Sequence, residues 1–244
     1  MTLLRSSLYH LYFWTITLVM AVGSLPIRFF APHLALGYGK IWARTVFAGL
    51  APLAGIGIAV SGAEHIPEEG PALIASQHQS AFDTLVWLLL VPRPAYVVKS
   101  ELWRIPLFGP MLGPCGQIPI RRRGGAQAIR AMLRDADRAE AEGRQIIIFP
   151  EGTRCPPGEV GRMQPGVAAL AARTGLAVIP VVTNSGLAWP RRSFLRRPGT
   201  IRIAILPPLP PGLSRHDLLA RLTELYTAGV TAVGKSVGKP GGAL

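Results

Sequence analysis

The stretch Ala72-Leu-Ile-Ala-Ser-Gln-His-Gln-Ser-Ala-Phe-Asp-Thr-Leu-Val-Trp-Leu-Leu-Leu90 decides the fold class. Its first five residues are apolar or small without alternation, the pattern of a strand buried on both faces. Four mostly polar residues interrupt the run, and the apolar content from Ala81 to Leu90 then suits a helix. A strand passing through a short polar turn into a helix is the unit of an α/β sheet. The unit recurs along the chain. Further strands are expected at Ala95–Val98, Gln117–Ile120, Gln145–Phe149, Ala177–Thr183 and Ile201–Leu206. Further helices are expected at Ala126–Ala141, Gly166–Thr174 and Arg215–Val233, giving an α/β sheet covered by helices.

Toward the N-terminus the character changes. Ser6 to Ile27 contains no Lys, Arg, Asp or Glu, close to the roughly 20 apolar residues that a membrane-spanning helix needs. Tyr9, Tyr12, Phe13 and Trp14 cluster at its start, as aromatic belts do at a membrane interface. A second uncharged run, Thr45 to Val60, is shorter and broken by Pro52 and glycines, so a helical hairpin dipping into one leaflet fits as well as a full span. A cleaved signal peptide, with Arg5 as its basic end and Ala21-Val22-Gly23 as its cleavage site, is the rival reading. The expected division is an anchoring segment over 1–60, a catalytic domain over 61–233 and a disordered tail over 234–244.

The 244 residues are 49% hydrophobic and 16% charged, with a net charge of +13. So basic a chain suits nucleic acid or an anionic membrane surface. Here the basic residues accompany long apolar runs, which favours the membrane. Cys115 and Cys155 have no metal-ligand or C-x-x-C spacing, so a reducing compartment and no metal site are expected. Cys155 adjoins Arg154, a position within reach of a thiol reagent.

Two stretches carry candidate chemistry. His78 follows a strand, where α/β folds place functional side chains, and a histidine can accept a proton near neutral pH. Asp83 can orient it if His78 lies on the loop and Asp83 on the first helical turn. The alternative is that His78 caps the helix and Asp83 pairs with a distant cation. The second stretch is Ile146-Ile-Ile-Phe-Pro-Glu-Gly-Thr-Arg154. Its turn can present backbone N–H groups and an arginine to an anion, or it can be an ordinary turn with a solvated Arg154. Lys99 and Arg122 follow two other strands, so three cations could converge on one phosphate.

These stretches together resemble the glycerolipid acyltransferases, closest to the bacterial lysophosphatidic acid acyltransferases. The H-x-x-x-x-D block is His78–Asp83, the G-x-I-x-I-x-R block Gly116–Arg122, the F-P-E-G-T-R block Phe149–Arg154, and the apolar strand with proline Val178-Ile-Pro-Val181. Lys99-Ser-Glu-Leu102 matches a K-x-E-L stretch. The resemblance covers roughly residues 60 to 210 and implies a mixed, largely parallel sheet flanked by helices, with an N-terminal membrane-embedded helical segment. It implies His78 as general base, Asp83 as its partner, and Lys99, Arg122, Glu151, Gly152, Thr153 and Arg154 as acceptor ligands. It implies transfer of a fatty acyl group from acyl-CoA or acyl carrier protein to 1-acyl-glycerol-3-phosphate at a phospholipid membrane. No cofactor and no nucleic acid are expected, and the place is the inner membrane with the site on the cytoplasmic side. Two departures bear on the acceptor: Gln164 stands in Met163-Gln-Pro-Gly166 where many members have lysine, and Arg121 stands where many have an acid.

Other acceptors stay open: another lysophospholipid, a lyso-aminolipid or glycerol-3-phosphate. So do a membrane lipase or thioesterase using the same histidine, and a non-catalytic basic membrane-surface or nucleic-acid-binding protein. Gly229-Val-Thr-Ala-Val-Gly-Lys-Ser236 satisfies the P-loop pattern but follows a helix, with eight residues after it, so nucleotide binding is not expected. The pairs Arg191-Arg192 and Arg196-Arg197, beside Trp189 and Phe194, read as a loop touching headgroups or a phosphopantetheine arm.

Overall fold

The computed structural model describes residues 1–121 and 124–234. The expected tail from 235 onward and Arg122 lie outside the described residues, as do the last two positions of the P-loop pattern.

Two helices come first, α1 (Thr2–Phe30) and α2 (Ala35–Ala48), then strand β1 (Ile56–Ser61). Strand β2 (Ala72–Ser76) leads to helix α3 (Phe82–Leu90), then β3 (Pro94–Lys99), the short α4 (Gly109–Leu112) and β4 (Ile118–Ile120). The chain continues through α5 (Gly125–Ala141), β5 (Gln145–Ile148), α6 (Gly166–Thr174) and β6 (Val178–Thr183). It ends with the short α7 (Ser185–Ala188), β7 (Gly199–Ile205) and α8 (Arg215–Gly234). The described strands form one seven-stranded sheet in the order β1-β7-β6-β2-β5-β3-β4. Every pairing is parallel except β6 with β7. The fold is therefore α/β with a mixed, largely parallel sheet.

The continuous apolar strands bury both faces. In β2, Ala72 and Ile74 face a core shared with α1, α2 and α3, while Leu73 and Ala75 face a core shared with α5, α6 and α8. Helix α8 sends Leu218, Leu222, Tyr226, Val230 and Val233 inward at helical spacing, and Tyr226 Oη donates to the Ala75 carbonyl (2.8 Å). Strand β2 is thereby clamped from both sides, which fixes where its end, and His78, must lie.

The second uncharged run differs from expectation. Helix α2 ends at Ala48, a π-turn covers Leu50–Ala54, and Ile56–Ser61 is strand rather than membrane hairpin. Ile56, Ile58 and Val60 alternate in the way a strand does, and β1 pairs along β7 from Ile56↔Gly199 to Ser61↔Ala204. The division between helical segment and sheet thus falls near Gly55 rather than at 60.

Helix α1 is long and apolar enough to cross a membrane. At 1.5 Å per residue its 29 residues measure about 43 Å. One face packs on α2: Trp42 Nε1 donates to Thr17 Oγ1 (3.2 Å) and Tyr38 Oη to the Met20 carbonyl (2.9 Å). The opposite face leaves Leu4, Leu8, Leu11, Trp14, Leu18 and Val22 exposed, a lengthwise stripe that water does not favour.

Candidate active site

Strands β2, β5, β3 and β4 run parallel and adjacent, so their C-terminal ends open on one edge of the sheet. His78 leaves β2 at that edge and Arg154 leaves the turn after β5, the next strand. Lys99 closes β3 and is exposed. The three strands whose cations were expected to converge, β5 (Arg154), β3 (Lys99) and β4 (Arg122), are consecutive in the sheet. Arg122 itself lies outside the described residues, which at β4 end at Arg121.

The segment 77–81 folds back onto α3, which makes the five-residue spacing of His78 and Asp83 work. Asp83 sits in the first helical turn. Its Oδ2 accepts hydrogen bonds from the backbone N–H of Gln79 and of Ser80 (2.7 Å each) and lies 3.3 Å from His78 Nδ1. Ser80 Oγ accepts from the Phe82 N–H at the helix start (2.9 Å). Both His78 and Asp83 are buried. A carboxylate can only accept, so the contact requires the proton on His78 Nδ1 and leaves the lone pair on Nε2. Phe149 stacks on the imidazole, with centroids 4.3 Å apart and planes at 24°, and restrains the ring further.

The Phe149–Arg154 turn is stitched to the His78 peptide on both sides. The His78 N–H donates to Glu151 Oε2 (2.9 Å), and the Cys155 N–H donates to the His78 carbonyl (2.8 Å). Glu151 Oε1 accepts from the Gly161 N–H (3.0 Å). Glu151 is 3% exposed, and its carboxylate turns inward to backbone rather than out to the cleft. Burial raises its carboxyl above the ordinary range, against the lowering pull of those same backbone bonds. Gly152 has φ +67°, the left-handed region, and a Cβ there would come within 3.1 Å of Gln164 Cγ. Thr153 is exposed at the tip.

Arg154 is half-buried. Burial lowers its guanidinium from the usual range, Asp83 pulls it up, and Arg191 pushes it down. Arg191 Nη1 donates to the Arg154 carbonyl (3.0 Å). Cys155 is buried, contrary to the expectation of reagent access, and burial pushes its thiol up to about 12.

The geometry therefore offers an oriented imidazole with a free Nε2 beside a half-buried arginine, at the edge where α/β sheets place ligands. A family model described as Acyltransferase matches residues 57–184, just over half of the chain and inclusive of every site residue named above apart from Arg191. The chain belongs to the acyltransferase family. Among its acyltransferase relatives, the 1-acyl-sn-glycerol-3-phosphate acyltransferase of Pseudomonas aeruginosa is 36% identical over 166 residues, covering 68% of this chain and 64% of that protein. The protein of the same name from Limnanthes alba is 29% identical over 181 residues, 73% of this chain and 63% of that one. The chain thus spans just under two thirds of the length of these two relatives. The mouse 1-acyl-sn-glycerol-3-phosphate acyltransferase alpha is 31% identical over 206 residues, covering 78% and 72%. Among solved acyltransferase structures, the 1-acyl-sn-glycerophosphate (LPA) acyltransferase PlsC from Thermotoga maritima aligns with a TM-score of 0.80 at 26% identity, over 98% of this chain and 100% of that one.

Three contributions to the site escaped sequence reasoning. Phe149 opens the F-P-E-G-T-R block, but its stack on His78 was not foreseen, and Gly161 acts through a backbone N–H that leaves no signal in sequence. Arg191 was visible only as half of a basic pair.

Proposed function

We propose that this chain is a membrane-bound lysophosphatidic acid acyltransferase. It moves a fatty acyl group from acyl-CoA or acyl carrier protein to the free sn-2 hydroxyl of 1-acyl-glycerol-3-phosphate, giving phosphatidic acid. The observation that carries the reading is the His78–Asp83 pair at the end of β2, one strand from the Arg154 turn. The names of the relatives agree with it.

His78 Nε2 takes the proton of the acceptor hydroxyl as its oxygen attacks the thioester carbon. The tetrahedral intermediate collapses, the C–S bond breaks, and the imidazolium returns the proton to the departing sulfur. Asp83 steadies the imidazolium in between. Such acid–base help is worth about 10²–10⁴ in rate, and anchoring of the phosphate by Arg154, Arg122 and Lys99 supplies positioning. Gly152 and Thr153 line the acceptor side of the turn, and Glu151 holds His78 in place. The chemistry calls for no metal or prosthetic group. Residues up to Gly55 serve as the membrane anchor, in an inner membrane with the site on the cytoplasmic side.

The test is transfer of radiolabelled acyl groups by protein in detergent, from acyl-CoA and from acyl carrier protein, with lysophosphatidic acid beside a panel of other lysolipids and glycerol-3-phosphate. Phosphatidic acid should form with wild type and fall about 10²–10⁴-fold in His78→Ala. Undiminished transfer by His78→Ala overturns the role of the base. Product from another acceptor alone moves the substrate, and free fatty acid alone points to a hydrolase.

A further inference from the structure

The loop joining α7 to β7, residues 189–198, reaches the edge that carries His78 and Arg154 because β7 runs antiparallel to β6. Four contacts hold it rigid. Ser6 Oγ accepts from the Arg196 N–H (2.8 Å) and donates to the Arg196 carbonyl (3.3 Å). His10 stacks on Phe194 with centroids 4.4 Å apart and contacts its carbonyl through Nε2 (2.8 Å). The Arg196 guanidinium lies over Trp189, 4.6 Å from the ring centroid. The Arg197 N–H donates to the Ala188 carbonyl (2.9 Å). Within this frame Arg192 takes φ +54°, the left-handed region that a residue with a side chain rarely adopts. Strain of this kind persists where the surroundings over-determine it, and it collects at ligand sites.

The turn so fixed sends Arg191 to the Arg154 backbone, 37 residues away in sequence. Two guanidinium-bearing residues thus meet at the mouth of the site. Residues 187–199 contain no Asp or Glu. Among the described residues neither arginine has a carboxylate within ion-pair distance. Asp83, whose charge acts on Arg154, is itself held by two backbone N–H groups and His78, and Glu151 by two backbone N–H groups. Only one Nη of Arg191 is taken up by the Arg154 carbonyl, so its other donors remain for a ligand. Like charges held together with no directly paired carboxylate form a receptor for a compact anion.

We propose that Arg191, from outside the family's sequence blocks, joins Arg154 as a second arginine on the acceptor's phosphate, and that it sets preference for a dianionic phosphate monoester over an uncharged acceptor. This rests on the function proposed above. The latch through Ser6 and His10 means that α1, the candidate membrane helix, holds the residue that selects the headgroup.

The decisive experiment compares wild type with Arg191→Gln and Arg191→Lys on lysophosphatidic acid and on uncharged 1-monoacylglycerol. Loss of one charge-assisted contact should lower the preference for lysophosphatidic acid by about 10-fold in Arg191→Gln, through its KM, with partial recovery in Arg191→Lys. A residue that merely braced the Arg154 turn would also lower kcat on both acceptors, because the same turn holds the His78 peptide through Glu151 and Cys155; a kcat loss shared by both acceptors, or an unchanged preference ratio, overturns the proposal. Line broadening of the ³¹P signal of sn-glycerol 3-phosphate by wild type and variant gives a second readout without turnover. If wild type makes no phosphatidic acid, the functional reading fails, and the broadening still decides the clamp: it should be weaker in Arg191→Gln, and equal broadening refutes it.

Discussion

Replacing Glu151 with glutamine separates two roles that the sequence cannot. The carboxylate accepts one backbone N–H from His78 and one from Gly161. A hydrogen bond to a charged acceptor contributes about 1.5–3 kcal/mol, and a buried donor left unmatched costs about 1–3 kcal/mol. Glutamine keeps one acceptor oxygen and turns an amide N–H toward the second donor. One bond is lost and two donors face each other, a net cost of about 2–4 kcal/mol. For a chain of this size that corresponds to a fall of about 5–15 °C in melting temperature. The freed His78 peptide lets the imidazole drift, and a misplacement of about 1 Å can cost about 10²-fold. The expected result is therefore a kcat about 100-fold lower with acceptor KM within about threefold. Steady-state kinetics in detergent and a thermal melt measure both. A variant with wild-type melting and kcat but an acceptor KM raised tenfold would refute the reasoning and return Glu151 to direct substrate contact. A pH series adds a sign. Burial raises the Glu151 carboxyl above 4.5, so the fold favours its protonated form. Its contribution is fully present below 4.5 and is lost as pH rises through the raised value. Wild-type stability should accordingly fall as pH rises through that range, a slope that Glu151→Gln lacks.

Asp83→Asn should retain the fold, because the amide oxygen can still accept from Gln79 and Ser80. Its N–H₂ would favour the wrong imidazole tautomer, and transfer should fall about 10²–10⁴-fold; near-normal activity in the acyl-transfer assay would rule out the orienting role. The two thiols, pushed up to about 11 at Cys115 and about 12 at Cys155 by burial, should react with a thiol reagent at pH 8 about 10²–10³-fold more slowly than free cysteine. Rapid native labelling followed by mass spectrometry, with Cys155 modified at the free-thiol rate, would contradict the burial.

What was legible in the sequence follows from range. Strand β2 and helix α3 are adjacent and each has its own apolar pattern, so Ala72–Leu90 could be read locally. His78 and Asp83 lie within that unit, and their contact needed only a loop that turns back. Strand β1 was missed because Ile56–Ser61 continues an uncharged run that begins in a helix, and its partner β7 lies more than 140 residues on. The sheet order was equally hidden: β2 sits between β5 and β6, and no local pattern encodes that placement. The direction of a side chain was hidden too. Phe-Pro-Glu-Gly-Thr-Arg reads as one block facing the acceptor, yet Glu151 turns inward while Arg154 stays half-open, because Gly152 reverses the chain between them.

That reversal also explains the charge of the site. Both carboxylates near His78 are absorbed by backbone N–H groups, two on Asp83 and two on Glu151. They orient and position the histidine, and Asp83 also acts through its charge on Arg154. Among the described residues, Arg154 and Arg191 have no carboxylate within ion-pair distance. An acid placed in the cleft would neutralise them and repel a phosphate. On the proposed reading, the same acids bound to backbone hold the base in place and leave the arginines to the acceptor. A single carboxylate newly introduced in the 189–198 loop, as in Ser193→Asp, should then act against the site rather than within it, pairing with Arg191 and weakening lysophosphatidic acid far more than an uncharged acceptor.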